Sequence, residues 1–583
     1  MEKFYTSERN TQMLIYLMKA HGIRKVIISP GATNVCFVAS VQQDSFFELY
    51  SSVDERSAAY IACGLAAESG EPVALNCTGA TASRNYLPGL TEGYYRKLPI
   101  LAVTAAQHIG RIGQNIPQAI DRTTPLNDIV RMSVQIPTIH NTEDEWAYGV
   151  MLNKALLELR RHGGGPVHIN LETSYSSDFT VKELPPVPVI HRVCYWEQLP
   201  ELKSGRVGIF VGAHKRWNAE LTQSVDAFCE AYDGVVICDH TSNYHGKYRI
   251  LAPLAAMQKM YRASCVSMDV MIHIGDISGA YMEVNPKQVW RVNPDGEVRD
   301  TFRGLRYVFE MEETDFFRFY ASQADGKKCS TSFYSEWKME LEKLRSKIPE
   351  LPFSNIWAAE QTASLLPKGS VLHLGILNSL RAWNFFEIPE SILAYSNTGG
   401  FGIDGGVSSL AGAALAAPDK LFFGVVGDLA FFYDMNVLGN RYFGKNIRLM
   451  LVNNGRGTEF RNYNHPAARF GDDADPYMAA AGHFGQQSPC LVKHFAEDLG
   501  YEYLCASNKK EYLAALERFL SQEPMEKPML FEVFTDYKDE SDALKIMYTL
   551  ETSVQGAVKQ KAKDILGEHG VMMLKKVKGK LKN

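Results

Sequence analysis

Along this chain apolar residues come in short runs closed by polar clusters. Residues 421–426 and 447–452 are two such runs, of strand length and without polar alternation. That is the pattern of strands buried on both faces of a parallel sheet. The first stops at Gly427-Asp428 and the second at Asn453-Asn454-Gly455, with enough chain between them for the crossover that parallel strands require. If the two are neighbours, Asp428 and Asn454 emerge together at the carboxyl edge of the sheet, where open α/β sheets bind ligands. One carboxylate and one amide oxygen suit Mg²⁺, which completes its octahedron from water and phosphate. Glycines at 427, 455 and 457 would let backbone N–H groups approach a diphosphate. The competing reading is an ordinary doubly wound sheet with polar loops.

The same rhythm runs from the start of the chain. Met13, Leu14, Tyr16 and Leu17 mark a helix face, and Val26-Ile27-Ile28 a strand stopped by Ser29-Pro30-Gly31. Residues 72–77, 98–104 and 166–171 read as further strands, several followed by glycine or small-residue turns. This is an α/β pattern. Pro185-Pro186-Val187-Pro188 reads as a stiff linker. Beyond it, residues 207–211, 235–238 and 270–274 are strands of a second α/β block. The polar stretch Asp325-Gly326-Lys327-Lys328, a helix over 333–347 and Pro349 form a second linker. The expected domains are therefore 1–183, 190–324 and 354–542, with 543–583 as a C-terminal extension ending in a solvated, lysine-rich tail (Lys575, Lys576, Lys578, Lys580, Lys582).

Composition narrows the classes. A chain of 583 residues with a formal net charge of −5 offers no electrostatic case for nucleic acid. No apolar run approaches membrane-spanning length. Ten cysteines without a CxxC pair, and no signal peptide, fit a reduced cytoplasmic setting. His240 and His245 do not close a metal site with any cysteine and read as structural.

Two further stretches of the first block carry candidate chemistry. Glu55 stands before a helix rich in small residues (Ala58, Ala59, Ala62, Gly64, Ala66). Alone it reads as a solvated carboxylate favoured by the helix dipole. Asn76-Cys77-Thr78-Gly79-Ala80-Thr81 runs from a strand through a Gly/Thr turn into a helix.

Together these residues resemble the thiamine-diphosphate decarboxylase and carboligase superfamily, and within it the menaquinone-pathway 2-succinyl-5-enolpyruvyl-6-hydroxy-3-cyclohexene-1-carboxylate synthases. The likeness rests on Ser29-Pro30-Gly31, Asp54-Glu55-Arg56, Thr78-Gly79-Ala80-Thr81, Asn378-Ser379, Ser396-Asn397, Gly402-Ile403-Asp404-Gly405, Gly427-Asp428-Leu429 and Asn453-Asn454. It covers about residues 5–180 and 354–540; the middle block matches only in general pattern. The resemblance implies three doubly wound parallel-sheet α/β domains: pyrimidine-binding, central and diphosphate-binding. It implies thiamine diphosphate and Mg²⁺ as cofactors, with no FAD expected. Glu55 would hydrogen-bond N1′ of the aminopyrimidine, with a raised pKa among its small apolar neighbours. Asp428, Asn454 and a backbone carbonyl near Arg456 would hold the metal. Ser29, Pro30, Gly31, Thr78, Gly79, Thr398, Gly399, Gly427, Leu429, Ala430 and Phe460 would surround the cofactor. A homodimer or tetramer with active sites at the subunit interface is implied as well.

The departures bear on substrate. Ala32-Thr33, Ala106-Gln107-His108 and Thr398 stand where the menaquinone synthases carry arginines, and Asp276–Tyr281 replaces a central Lys/Arg pair. Losing a bidentate arginine removes roughly 1.5–3 kcal/mol per charged contact. The expectation is a carboligase that decarboxylates a 2-oxo acid and passes the acyl carbanion to an acceptor, with substrates other than 2-oxoglutarate and isochorismate. Alternatives are a simple 2-oxo-acid decarboxylase or C–C lyase, an authentic synthase with a rearranged site, and a non-catalytic relative. Gln118 keeps a family position, and His108 is a candidate acid/base. Thr33, Asn34, Gln107, Arg381, Phe401 and Glu459 are candidate substrate contacts, with Arg381 and Arg456 the cations for an anionic group. Glu459 would disfavour an anionic acceptor and could bind hydroxyls.

Overall fold

In the computed structural model, residues 4–203, 205–324, 332–523 and 526–554 are described. The expected polar linker at 325–328 and the lysine-rich end lie outside them. The chain forms two compact units, one of residues 1–199 with 295–310, the other of 200–294 with 311–583. Parallel α/β sheets organise both, as the apolar runs require.

The first unit holds the sheet β1 (Lys25–Ile28), β2 (Glu48–Ser51), β3 (Val73–Cys77), β4 (Ile100–Ala106), β5 (Met132–Ile136) and β6 (Val167–Glu172). Its spatial order is β2-β1-β3-β4-β6-β5 and every pair is parallel. The middle strand β3 is buried throughout, whereas the edge strand β2 is exposed throughout. Met13, Leu14 and Leu17 of the helix Arg9–Ala20 enter one core layer, on one face of the sheet. On the other, the alanines of the helix Glu55–Ser69 allow a close helix–helix approach: a Cβ at Gly89 would fall 2.4 Å from Ala59 Cβ. Residues 185–188 are pinned down as well as extended. Val187 joins the core, Arg9 donates to the Pro185 and Pro186 carbonyls, and Asn153 donates to that of Pro188 at 2.9 Å. The parallel pair β7 (His191–Cys194) and β13 (Leu305–Glu310) completes this unit.

The second unit carries β8 (Val207–Val211), β9 (Val235–Cys238), β10 (Arg249–Leu251), β11 (Ser267–Ile274) and β12 (Asn285–Val292), ordered β10-β9-β8-β11-β12. It also carries the sheet β14 (Val371–Leu374), β15 (Leu393–Tyr395), β16 (Phe422–Gly427), β17 (Ile447–Asn453), β18 (Glu502–Ala506) and β19 (Met529–Phe534), ordered β15-β14-β16-β17-β19-β18. β16 and β17 are parallel neighbours and β17 is buried along its whole length. The helix expected over 333–347 runs Ser332–Arg345. His240 is structural: its ring nitrogen Nε2 lies 2.9 Å from the Phe386 carbonyl, and its N–H donates to Asn384. No helix among the described residues is long and apolar enough to cross a membrane.

Candidate functional site

In the two six-stranded sheets the strand order reverses between β1 and β3 and between β14 and β16, and again at the far edge, where β6 and β19 lie inside β5 and β18. Ligands of open α/β sheets sit outside the carboxyl ends of the strands at such a reversal. Ser29-Pro30-Gly31 and Thr78-Gly79 follow the strands of the first reversal, Asp428 follows a strand of the second, and Gln107, His108 and Gln118 come after β4.

In the second unit a cavity at the reversal is lined by His373 in β14, Gly375 and Ile376 after it, Ser396 and Asn397 after β15, and Gly424, Val426 and Ala430 around β16. Asp428 opens the helix Asp428–Asp434 and is 5% exposed. Burial pushes its carboxyl up to about 6, against backbone N–H groups that stabilise the anion. The N–H of Leu429 donates to its Oδ1 at 2.7 Å and that of Arg456 to its Oδ2 at 3.0 Å. One strand over, Asn454 Oδ1 is buried without a hydrogen-bond partner, as are Ser396 Oγ and His373 Nε2. A buried acceptor costs free energy unless something donates to it or it binds a cation. Asn453 braces this loop by donating to Glu532 at 2.6 Å, and Gly455 takes the left-handed φ of 75° that the turn needs. An acidic oxygen, an orphaned amide oxygen and free space beside Gly427, Gly399 and Gly400 fit a hydrated Mg²⁺ and a diphosphate. Among the described residues no cluster of three or more His, Cys, Asp or Glu offers an alternative metal site.

The remaining candidates of the second unit lie outside the residues that line this cavity. Thr398 is buried, Phe401 holds φ 54°, and its ring lies 6.4 Å from that of Tyr281. Phe460 is half-exposed against His465. The two cations expected for an anionic substrate are both engaged. Arg381 pairs with Glu459 through both carboxylate oxygens, at 2.7 and 3.1 Å. Arg456 pairs with Asp475 at 2.6 Å and lies over the Tyr537 ring.

In the first unit Asp54 caps the helix Glu55–Ser69 and makes Glu55 its first residue, not the one before it. Asn85 Nδ2 donates to Glu55 Oε2 at 3.3 Å and orients the carboxylate. Ser29-Pro30-Gly31 and Thr78-Gly79 lie side by side after β1 and β3: a Cβ at Gly31 would fall 2.6 Å from that of Thr78. Thr33 hydrogen-bonds Thr78, and its Oγ1 accepts from the Gly79 N–H at 3.3 Å. Asn34 is 2% exposed; its amide donates to the Ser29 carbonyl and, at 2.8 Å, to Asn76 Oδ1, which ties it into this turn, while its Oδ1 is buried without a partner. Gln107, His108 and Gln118 line one cleft with Arg122. His108 Nδ1 accepts the Gly110 N–H at 3.1 Å, which leaves the proton of the neutral ring on Nε2.

Three contributors escaped the sequence reading. Asn85, His373 and Arg122 belong to no motif, and only the folded turns bring them to these edges. Arg122 donates to the Ala105 carbonyl at 2.8 Å while Nε and Nη1 are buried without partners, and burial lowers its pKa to about 10.

Comparison with known proteins agrees with this geometry. Residues 9–124 match the family described as thiamine pyrophosphate enzyme, N-terminal TPP binding domain. A 2-succinyl-5-enolpyruvyl-6-hydroxy-3-cyclohexene-1-carboxylate synthase of Bacteroides fragilis is 32% identical over 572 residues, 93% of this chain and 99% of that protein. The enzyme of the same name from Phocaeicola vulgatus is 30% identical over 93% of this chain and 98% of its own length. The one from Desulfotalea psychrophila is 29% identical over 89% and 96%. With these full-length likenesses, the chain belongs to the thiamine-pyrophosphate-dependent enzyme family of the 2-succinyl-5-enolpyruvyl-6-hydroxy-3-cyclohexene-1-carboxylate synthases.

Proposed function

We propose that this enzyme is a Mg²⁺-dependent carboligase that decarboxylates a 2-oxo acid and transfers the acyl unit to an acceptor, with substrates other than 2-oxoglutarate and isochorismate. The observation that carries the reading is buried Asp428 after β16 together with the unpartnered Asn454 Oδ1 after the neighbouring strand β17. These two side chains, with a backbone carbonyl near Arg456, would hold the metal, and the amides of Leu429 and Ala430 at the helix start would meet the diphosphate. When bound, thiamine diphosphate supplies a nucleophilic carbon and takes up the electron pair released as CO₂ leaves. Glu55, held by Asn85, would hold a proton at the aminopyrimidine N1′. His108, with its proton on Nε2, would donate to a developing alkoxide, and the Gln118 amide would orient the same oxygen.

The domain roles follow: residues 1–183 bind the pyrimidine, 190–324 form the central domain and 354–542 bind the diphosphate. We assign a homodimer in which Glu55 of one subunit serves the metal pocket of the other. Val53, Tyr60 and Ile61, around Glu55, are apolar and exposed, which a partner subunit would cover. A cytoplasmic setting is part of the same reading. The length of the likeness to the menaquinone synthases favours a second reading, the authentic synthase with a rearranged substrate site.

The test is incubation with thiamine diphosphate, Mg²⁺ and a panel of 2-oxo acids, with and without candidate acceptors including isochorismate. Ligated product from a donor other than 2-oxoglutarate is the expected result. Aldehyde alone would make the enzyme a simple decarboxylase, and product only from 2-oxoglutarate with isochorismate would establish the second reading. Glu55→Gln should lower turnover by roughly a hundred- to ten-thousand-fold while leaving Mg²⁺-dependent cofactor binding intact.

A further inference from the structure

Recognition of a second carboxylate on a substrate needs a cation whose donors are free to turn toward it. Three arginines stand around the metal loop and the helix Asn378–Trp383, and each already carries a carboxylate: Arg381 on Glu459, Arg456 on Asp475, Arg461 on Asp475 and Asp472. The first pair belongs to a closed network. Arg381 also donates to Asn378 Oδ1 at 3.0 Å, and Asn462 donates to both Asn378 Oδ1 and Glu459 Oε2, at 3.2 and 3.1 Å. Both charged side chains are mostly buried, 14% and 23% exposed.

The network is joined to the lining of the cavity along the chain. Its helix starts two residues after Ile376, which lines the cavity, and passes beside Thr398. A Cβ at Gly279 would meet both Leu380 and Thr398. Glu459 lies in the short helix Thr458–Arg461 that follows the Asn454 turn. Leu377, between Ile376 and this helix, holds φ 64° and ψ −114°, a backbone that leucine seldom adopts.

Resting on the carboligase reading above, we infer that Glu459 is a specificity residue: by occupying Arg381 it makes this wall of the site neutral and restricts the donor to 2-oxo acids without a second carboxylate. A dicarboxylic donor would have to displace Glu459 and then lie beside its charge. A neutral alkyl or hydroxylated tail meets neither obstacle.

The experiment compares two unreactive probes of equal length, butyrate and succinate, titrated calorimetrically into the enzyme with thiamine diphosphate and Mg²⁺ present. The wild type should bind butyrate at least as well as succinate. Glu459→Gln, which leaves Arg381 unneutralised, should bind succinate at least ten-fold better and gain rate with 2-oxoglutarate relative to 2-oxobutyrate. Adding Arg381→Gln should erase that gain and also restore charge balance should the single variant fold poorly. Equal succinate affinity in wild type and Glu459→Gln, or a gain that survives Arg381→Gln, overturns the inference. Cofactor loading is read separately by Mg²⁺-dependent thermal stabilisation. Its failure in the wild type counts against the carboligase reading, while the succinate ranking still decides the charge argument.

Discussion

Several ionisable side chains are held neutral by burial, and they set opposite limits on the pH range of stability. Burial lowers His168 to about 3, and His240 and His373 to about 4. An unfolded histidine takes its proton near 6.5, so the neutral ring favours the fold fully above that value. Stability is then lost as pH falls from 6.5 toward each lowered pKa, by on the order of 3 kcal/mol per ring at pH 4. Glu540 acts in the other direction. Burial pushes its carboxyl up to about 7 despite the donors Thr535 Oγ1 at 2.7 Å and the Asn355 N–H at 3.0 Å. Its contribution is complete below the ordinary glutamate range and lost as pH climbs to 7. Thermal unfolding should therefore peak at mildly acidic pH. His168→Gln, which can keep a bond to Thr104, should flatten the acid limb, and Glu540→Gln should raise the melting temperature above pH 7 but not at pH 4. Unchanged acid and alkaline limbs would assign the pH limits to other groups. At this scale the sequence was readable only where a polar residue ends an apolar strand. Asp428 and Asn454 meet that condition. Arg381 and Glu459 do not: they lie 78 positions apart, and only the fold shows that each consumes the other's charge.

Turns after strands are where backbone strain collects. Ala80 follows β3 and the Thr78-Gly79 pair with φ 53° and ψ −129°, and Leu377 follows β14 in much the same conformation. These residues pay about 1–3 kcal/mol for conformations that glycine adopts freely. Ala80→Gly should therefore stabilise the first unit by about 1 kcal/mol, after allowing for glycine's greater freedom in the unfolded chain. If the strain serves to aim Thr78 and Gly79, the same variant should bind cofactor more weakly despite its higher melting temperature. A variant that is less stable and equally tight would dissociate the turn from the site. Elements themselves were legible because strands buried on both faces are mostly apolar, with only isolated exceptions such as Arg448 in β17 and Asn76 in β3. Strand ends at 427, 453 and 172 ran one residue further than the apolar runs, since ladder hydrogen bonds continue past the last apolar side chain. The proline linker showed its extended shape but not its anchoring, which depends on Arg9 and Asn153 from distant helices.

The two six-stranded sheets have the same strand order when each is numbered from its own first strand, a repetition that no run of residues announces. Each reversal therefore presents equivalent turns. Glu55 lies beyond β2 in one sheet and Thr398 beyond β15 in the other; Thr78-Gly79 follows β3 where Asp428 follows β16. Under the proposed dimer, one chain's first reversal completes another chain's second, and neither half suffices alone. Mixing variants tests this directly. Glu55→Gln and Asp428→Asn each abolish a different half, so each homodimer has two dead sites. A mixed dimer places both lesions in one site and leaves the other intact, so random exchange should restore activity to about a quarter of the wild-type level. The recovery should grow with the time allowed for subunit exchange and vanish when exchange is blocked by crosslinking. Sites contained within single chains would recover nothing at any mixing ratio, because every site would then carry one lesion.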